Sequence, residues 1–364
     1  MKTIKKIIPG FLVSLIIALC AWFIAKIPVG VVNTDGSVNS IGSYIGASVI
    51  ALFIGMVINH FVGKNEILAP GLKFTAKKVL KFAIILLGSS MTISTVLKVG
   101  GISLEVMFFT LLTCFGGGYF IGRALGLDWK LSNLISAGTG ICGGSAIAAI
   151  APVIDAEDTD IAYSISATFL FDMAMIVLFP LMGKWMGLSD QVYGLWAGTA
   201  VNDTSSVVAA GYAFSETAGD FATMVKLTRT LSIIPTVIVF ALISVHLKKK
   251  AAAKSGATSD SKAKISILTI FPWFILGFVA LAIVNSTGII PGNISAAAKQ
   301  ASKFLMVAAL AAIGLNTSFK DMSRSGIRPM IHGFIISLLV VIVAVAVEYF
   351  IGFDVITEVG SNVM

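Results

Sequence analysis

The sequence predicts an all-α polytopic membrane protein with 9–11 transmembrane helices. Three observations carry that expectation. Only 12% of the 364 residues are charged and 57% are apolar, with a mean hydropathy of +0.97. A soluble domain carries roughly 25% charged residues, so this chain could not clothe itself in polar groups in water. Long apolar stretches recur along the whole length. Lysines and arginines gather in a few short loops between them.

The first stretch, residues 7–27, follows Lys2, Lys5 and Lys6. It reads as a retained first helix rather than a signal peptide. It is long enough to span, and Leu19 precedes Cys20 where a lipoprotein cleavage site needs a small residue. Further continuous stretches cover 41–62, 79–97, 103–124, 161–182, 221–246, 265–284, 297–313 and 330–351. Each is near the roughly 20 residues that the hydrocarbon core requires. Segments 131–153 and 191–213 are also apolar but rich in Gly, Ser, Thr and Asn. They are interrupted spans or re-entrant hairpins, giving eleven or nine crossings. The chain thus divides into N-terminal spans (1–130), a duplicated broken-helix core (131–246), a cytoplasmic linker (247–265) and C-terminal spans (266–364). The linker is the only low-complexity segment and reads as a solvated, flexible loop.

The net charge of +8 does not indicate a nucleic-acid partner, because no basic face interleaved with aromatics occurs. Lys64, Lys73, Lys77 and Lys78, then Arg123 and Lys130, then the six lysines of 248–264, then Lys320, Arg324 and Arg328 all fall on one side. The positive-inside rule makes that side cytoplasmic and puts the C-terminus outside. Lys98 and Lys299 are minor exceptions. Cys20, Cys114 and Cys142 are odd in number and lie in apolar stretches. His60, His246 and His332 stand singly, at what read as helix ends. No metal site or cofactor is expected.

The two irregular segments resemble each other. Gly138-Thr139-Gly140-Ile141-Cys142-Gly143-Gly144-Ser145 recurs 60 residues later as Gly198-Thr199-Ala200-Val201-Asn202-Asp203-Thr204-Ser205. Each copy leads to an acidic loop and a full span. If both re-enter, the single span between them makes the copies antiparallel; if both cross, they run parallel. Glycine pairs also serve close helix packing in membranes. Asn202, Asp203, Thr204, Ser205 and Ser206 in a row are poor packing material, however. Paired helix breaks expose backbone groups that hydrocarbon cannot satisfy, and they point to a transporter's binding site. A weaker likeness joins 81–88 with 303–310. Their spans cross in opposite senses by the loop charges, as an inverted repeat would give.

Ionisable groups at depth are expensive and usually functional. Asp172 falls mid-span, Asp203 in the second break, and Lys226 and Arg229 share one face of the following helix. Three readings stay open for the cations: snorkelling to the surface, a bridge to Asp203, or an anion site. In the last, the planar fork of Arg229, the ammonium of Lys226 and half-helix N-termini would receive a small anion. Asp203 or Asp172 would then carry a coupling proton or help bind Na⁺.

The stretches 138–154, 196–211 and 225–229, together with the late 314–322 (GLNTSFKDM), resemble the YeiH-type sulfate exporter family. The resemblance extends over most of the chain. That family is grouped with bile-acid-type sodium symporters and cation:proton antiporters. The resemblance implies a bacterial inner-membrane secondary transporter in which a domain of interrupted helices moves against a scaffold, elevator-like. Residue by residue it carries substrate-binding roles to Cys142, Gly143, Gly144, Ser145, Asn202, Thr204, Ser205, Lys226 and Arg229; Gly140 and Ser206 join them from the breaks themselves. The expected substrate is a small anion such as sulfate, a sulfonate or a similar organic anion, with H⁺ or Na⁺ coupling open. The other partners are the bilayer and, as an open question, a second copy in a homodimer. A cation:proton exchanger is the nearest alternative, and a channel or membrane enzyme the alternatives of another class. No nucleophile elbow, HExxH helix or phosphate loop supports an enzyme.

Overall fold

The computed structural model describes residues 2–32, 38–44, 46–63, 65–255, 270–317 and 326–361. The expected linker therefore lies largely outside the described residues, as does most of the late 314–322 motif. The described chain is all-α apart from a small antiparallel ribbon, β1 (Pro28–Val32) with β2 (Val38–Ser40).

Helix α1 spans Lys2–Ala25 and α2 spans Ala47–Val62. Helix α3 (Ala69–Phe74) runs through one wide π-type turn, Thr75–Val79, into α4 (Leu80–Leu87). Helix α5 (Ile93–Leu112) continues likewise through Thr113–Gly117 into α6 (Gly118–Ala124). The expected span at 79–97 is thereby corrected. The rod begins ten residues earlier and ends by Ser90, because Thr92 turns extended and its hydroxyl caps Thr95 N–H at the start of α5.

Next come α7 (Trp129–Ala137), the π-type turn Gly138–Cys142, and α8 (Gly144–Ile150). Helix α9 covers Asp158–Trp185, α10 Asp190–Ala200, α11 Thr204–Phe214, α12 Glu216–Leu231 and α13 Ile233–Ser255. The chain ends with α14 (Trp273–Ser286), α15 (Gly292–Asn316), α16 (Ile327–Ile351) and the short α17 (Phe353–Ser361). Six helical runs are long and apolar enough to cross a membrane, and α2 and α14 are shorter apolar helices. With the α3–α4 rod, nine rods stand among the described residues.

Both irregular segments fold back on themselves. Lys130 Nζ donates to Asp155 O at 2.7 Å. A straight helix would hold these residues about 37 Å apart, so 129–155 is a hairpin. In the second segment Tyr193 OH donates to Ala210 O at 3.0 Å, and the Tyr193 and Phe214 rings stack 3.9 Å apart. Segment 190–214 is a hairpin as well. Helix α9, about 42 Å long by its residue count, joins the base of the first to the base of the second. The two hairpins therefore enter from opposite ends of the molecule.

The rods form two bodies. In one, α1, α2, α3–α4, α14 and α15 pack together. Helices α4 and α15 lie antiparallel there: Ser302 Oγ donates to Ala83 O at 2.6 Å and Ser295 Oγ to Ser89 O at 2.9 Å. The runs 81–88 and 303–310 are thus neighbours in opposite senses. In the other body, both hairpins pack among α5, α9, α12 and α16. His332 is not at a helix end as expected; it is buried in α16, with Ser132 Oγ 3.1 Å from its Nε2.

Close approach in the first body depends on glycine. A Cβ on Gly55 would sit 2.6 Å from Ala311 O and 2.8 Å from Leu315 N. Both are backbone atoms and could move only if α2 and α15 separated. Gly55→Val is expected to lower stability by about 1–3 kcal/mol. Gly101→Val, which meets nothing within 4 Å, should leave it nearly unchanged. Thermal unfolding of the detergent-solubilised protein measures both.

Candidate functional site

The hairpin tips meet in the interior. Gly143 turns the first tip with φ +62°, a conformation that favours glycine. A Cβ there would lie 3.0 Å from Asp203 Oδ1 and 3.1 Å from Asp203 Cβ, so the tips are in van der Waals contact. Ending a helix in the interior leaves its last carbonyls unpaired. Here α12 supplies the partners. Arg229 Nε donates to Gly140 O at 2.7 Å and Nη2 to Thr139 O at 2.6 Å, both on the first hairpin. Its Nη1 donates to Val201 O of the second hairpin at 3.2 Å, and Lys226 Nζ donates to the same oxygen at 2.9 Å.

Asp172, on α9, serves the donors of the second tip. The backbone N–H groups of Asn202 and Asp203 donate to its two oxygens at 2.9 and 3.0 Å. Asp203 caps α11: Ser205 N–H donates to its Oδ2 at 2.9 Å, and the Ser205 hydroxyl donates to the same atom. Asn202 Nδ2 reaches Ser337 Oγ on α16 at 3.3 Å. Lys226 and Arg229 against Asp172 and Asp203 make a balanced set of two cations and two anions. This lowers the cost of holding them away from water.

A cavity of about 1080 Å³ lies between the tips and the other body. From the hairpin body it is lined by Cys142, Gly143, Gly144, Ser145, Thr168, Asp172, Asp203, Thr204 and Ser205. The facing wall brings Lys77, Leu80, Lys81 and Ile84 from the α3–α4 rod, and Phe274 from α14. Its mouth, at Pro152, Val153 and Asp155, lies at the base of the first hairpin. Ser145 is exposed there, and Asp203 and Thr204 are half-buried.

Eight of the expected site residues therefore share one cavity: Cys142, Gly143, Gly144, Ser145, Asp172, Asp203, Thr204 and Ser205. The other five do not line it. Gly140, Asn202, Ser206, Lys226 and Arg229 are buried behind the tips. Lys226 and Arg229 neither snorkel nor form an ion pair with Asp203. Their donors are taken by carbonyls instead, because the tips would otherwise bury three unpaired C=O groups. Sequence reasoning missed Lys81 and Thr168. Thr168 was legible as the residue one turn before Asp172 on α9; Lys81 was hidden by the misplaced span.

A family model described as conserved hypothetical protein 698 matches residues 9–333. A UPF0324 membrane protein of Clostridium tetani is 56% identical over 341 residues, covering 91% of this chain and 99% of that protein. A UPF0324 membrane protein of Streptococcus agalactiae is 36% identical over 357 residues, covering 96% and 98%. One of Streptococcus pneumoniae is 36% identical over 352 residues, covering 94% and 97%.

Arg229→Ala should destabilise the protein by about 3–5 kcal/mol, since it uncaps both tips and unbalances the buried charges. Arg229→Lys should recover only part of this, having lost the planar fork. Unfolding in detergent reads both. Exposure separates a second pair: with Cys20 replaced by Ala, Ser145→Cys should react with a water-soluble maleimide in intact protein, and the buried Ser206→Cys should not. Cys114 and Cys142 are buried and provide the background.

Proposed function

The chain belongs to the UPF0324 membrane protein family (conserved hypothetical protein 698), and from that premise we propose that it is a secondary active transporter of a small anion. The observation that carries this reading is the meeting of two opposed hairpin tips in a cavity walled by a second body. Backbone that breaks at membrane depth is tolerated where it lines such a cavity. In a carrier it also exposes half-helix ends to the substrate. The hydroxyls of Ser145, Thr204 and Ser205 surround the tips, and α11 begins there with the positive end of its dipole. The substrate class is sulfate, a sulfonate or a similar organic anion. Asp203, half-buried in the cavity, is the carboxylate placed to carry a coupling H⁺ or Na⁺. The positive-inside rule then puts the cavity mouth and the N-terminus on the cytoplasmic side of the plasma (inner) membrane. An inverted repeat would account for the opposed hairpins and for the antiparallel α4 and α15.

Alternating access follows from the two bodies. They are tied at the end away from the cavity mouth by two ion pairs, Asp220 to Lys299 and Glu216 to Lys303, each 2.6 Å. Tyr212 OH donates to Asp220 at 2.6 Å. An elevator-like stroke of the hairpin body would have to part this ladder. A thiol-reactive cross-linker of about 10 Å, a reach of the order of two helix turns, joining Asp220→Cys to Lys299→Cys should abolish transport. Single variants treated the same way should retain it.

The primary test is counterflow of labelled sulfate in proteoliposomes against unlabelled inorganic anions, sulfonates and carboxylates. Saturable, competitor-sensitive exchange of unchanged substrate is the expected result. Conductance without saturation would indicate a channel, and a chemically altered product an enzyme. Na⁺-driven proton movement without anion exchange would indicate a cation:proton exchanger.

A further inference from the structure

Among the described residues lining the cavity, five carry charge: Lys77, Lys81, Asp155, Asp172 and Asp203. The carboxylates of Asp172 and Asp203 are matched by Lys226 and Arg229 behind the tips. At the mouth, Lys77 and Asp155 supply one charge of each sign. Lys81 is left over. It stands exposed on the α3–α4 rod, one helix turn beyond Lys77 and on the cavity wall. Among the described residues no carboxylate pairs with it; its recorded neighbour is the Phe274 ring, 5.3 Å from Nζ to the centroid. A lysine so placed, lining a cavity without a carboxylate partner, is held by water or by an anion that enters the cavity.

Apart from Lys77 one turn away, the wall near Lys81 is apolar. Leu80 and Ile84 flank it on the same rod, Phe274 lies beside it, and Ile165 and Phe169 approach from α9. The volume of about 1080 Å³ is at the upper end of organic-ligand pockets, which run to roughly 1,000 Å³. It far exceeds what a bare tetrahedral anion fills. We propose that Lys81 is the counter-charge for the substrate's anionic group, and that the substrate is an organic anion bearing one negative charge on an apolar body. This rests on the carrier reading above and sharpens its substrate class. Lys81 belongs to the body without hairpins, so it faces the tips only in the arrangement seen here. Its contribution to affinity is therefore confined to the side on which the cavity now opens.

The test uses proteoliposomes of known sidedness, labelled sulfate, and straight-chain alkanesulfonates of increasing length as competitors. Competition should strengthen with chain length. Lys81→Gln should raise the sulfonate KM about tenfold from the cavity-mouth side, the loss of one charge-assisted contact. From the opposite side it should change nothing, whereas a merely structural lysine would move both. Lys81→Arg should stay within about threefold of the wild type, since it keeps the charge. As a measurement independent of transport, hexanesulfonate should raise the melting temperature of the wild type in detergent and not that of Lys81→Gln. An unchanged KM and an unchanged sulfonate-induced shift in Lys81→Gln, with exchange intact in the wild type, would overturn the assignment of Lys81 alone. Sulfate outcompeting every sulfonate would overturn the organic body. A wild type that neither exchanges nor binds any of these anions would sink both this inference and the carrier reading. If Lys81→Gln does not fold, Lys81→Met replaces it in the same measurements.

Discussion

The arrangement depends on three carbonyl oxygens and the two cations that hold them. A hairpin that stops inside a membrane must leave backbone C=O groups with no helical partner, and hydrocarbon offers none. Arg229 and Lys226 reach Thr139, Gly140 and Val201 from a single helix face. One helix thereby satisfies both breaks and fixes them against each other. Asp172 does the complementary work for the N–H groups of the second tip. Each charge thus answers a backbone requirement as well as its opposite. That explains why such expensive residues sit where the tips meet.

The same constraint separates the two bodies. In the hairpin body, cohesion comes from buried polar contacts: Trp196 Nε1 to Val341 O at 3.0 Å, Tyr193 to Ala210, Asn202 to Ser337. In the other body bare backbone contact between helices, as at Gly55 and Gly314, joins serine contacts such as Ser302 to Ala83. Both kinds also occur at the boundary between them: Ile93 N–H donates to Ser286 Oγ at 2.8 Å, and a Cβ on Gly46 would lie 2.9 Å from Tyr212 O. That boundary holds a cavity at one end and lysine-borne ion pairs at the other. Of these pairs, Glu216–Lys303 has an exposed carboxylate and is the weak one, whereas Asp220 is buried and is also held by Tyr212.

Much of this was legible in the sequence, and what was not has physical causes. Hydropathy found the rods because bilayer thickness imposes a length. The breaks showed through Gly143-Gly144 and the polar run from Asn202, since few other reasons place such residues in an apolar segment. Re-entry was not legible, because a hairpin and a broken crossing need the same composition; the answer lay in Lys130 meeting Asp155. The posts of Lys226 and Arg229 were hidden for another reason. Their partners are backbone carbonyls as many as 90 residues away, and a carbonyl has no letter in the sequence. The α3–α4 rod was displaced because Lys73, Lys77, Lys78 and Lys81 depress its hydropathy. The feature that blurred the span is the one that places a charge in the cavity.

Charge balance also bears on what the hairpin body can carry. With Lys226, Arg229, Asp172 and Asp203 all ionised, the empty tips would bring no net charge. In the carrier reading, moving them across the field would then cost nothing electrostatically, whereas one uncompensated charge costs about 2.3 kcal/mol per 100 mV. A bound monoanion breaks that neutrality. Lys81 cannot restore it during the stroke, because it stays with the other body. Either the loaded crossing is driven by the membrane potential, or a cation travels with the anion. Of the groups at the tips, Asp172 has a backbone N–H on each oxygen, whereas both donors to Asp203 share Oδ2, so in this reading Asp203 Oδ1 is the oxygen open to a travelling proton or Na⁺. In the carrier reading, coupling and substrate charge are therefore one problem, set by a tip whose four charges balance when it is empty.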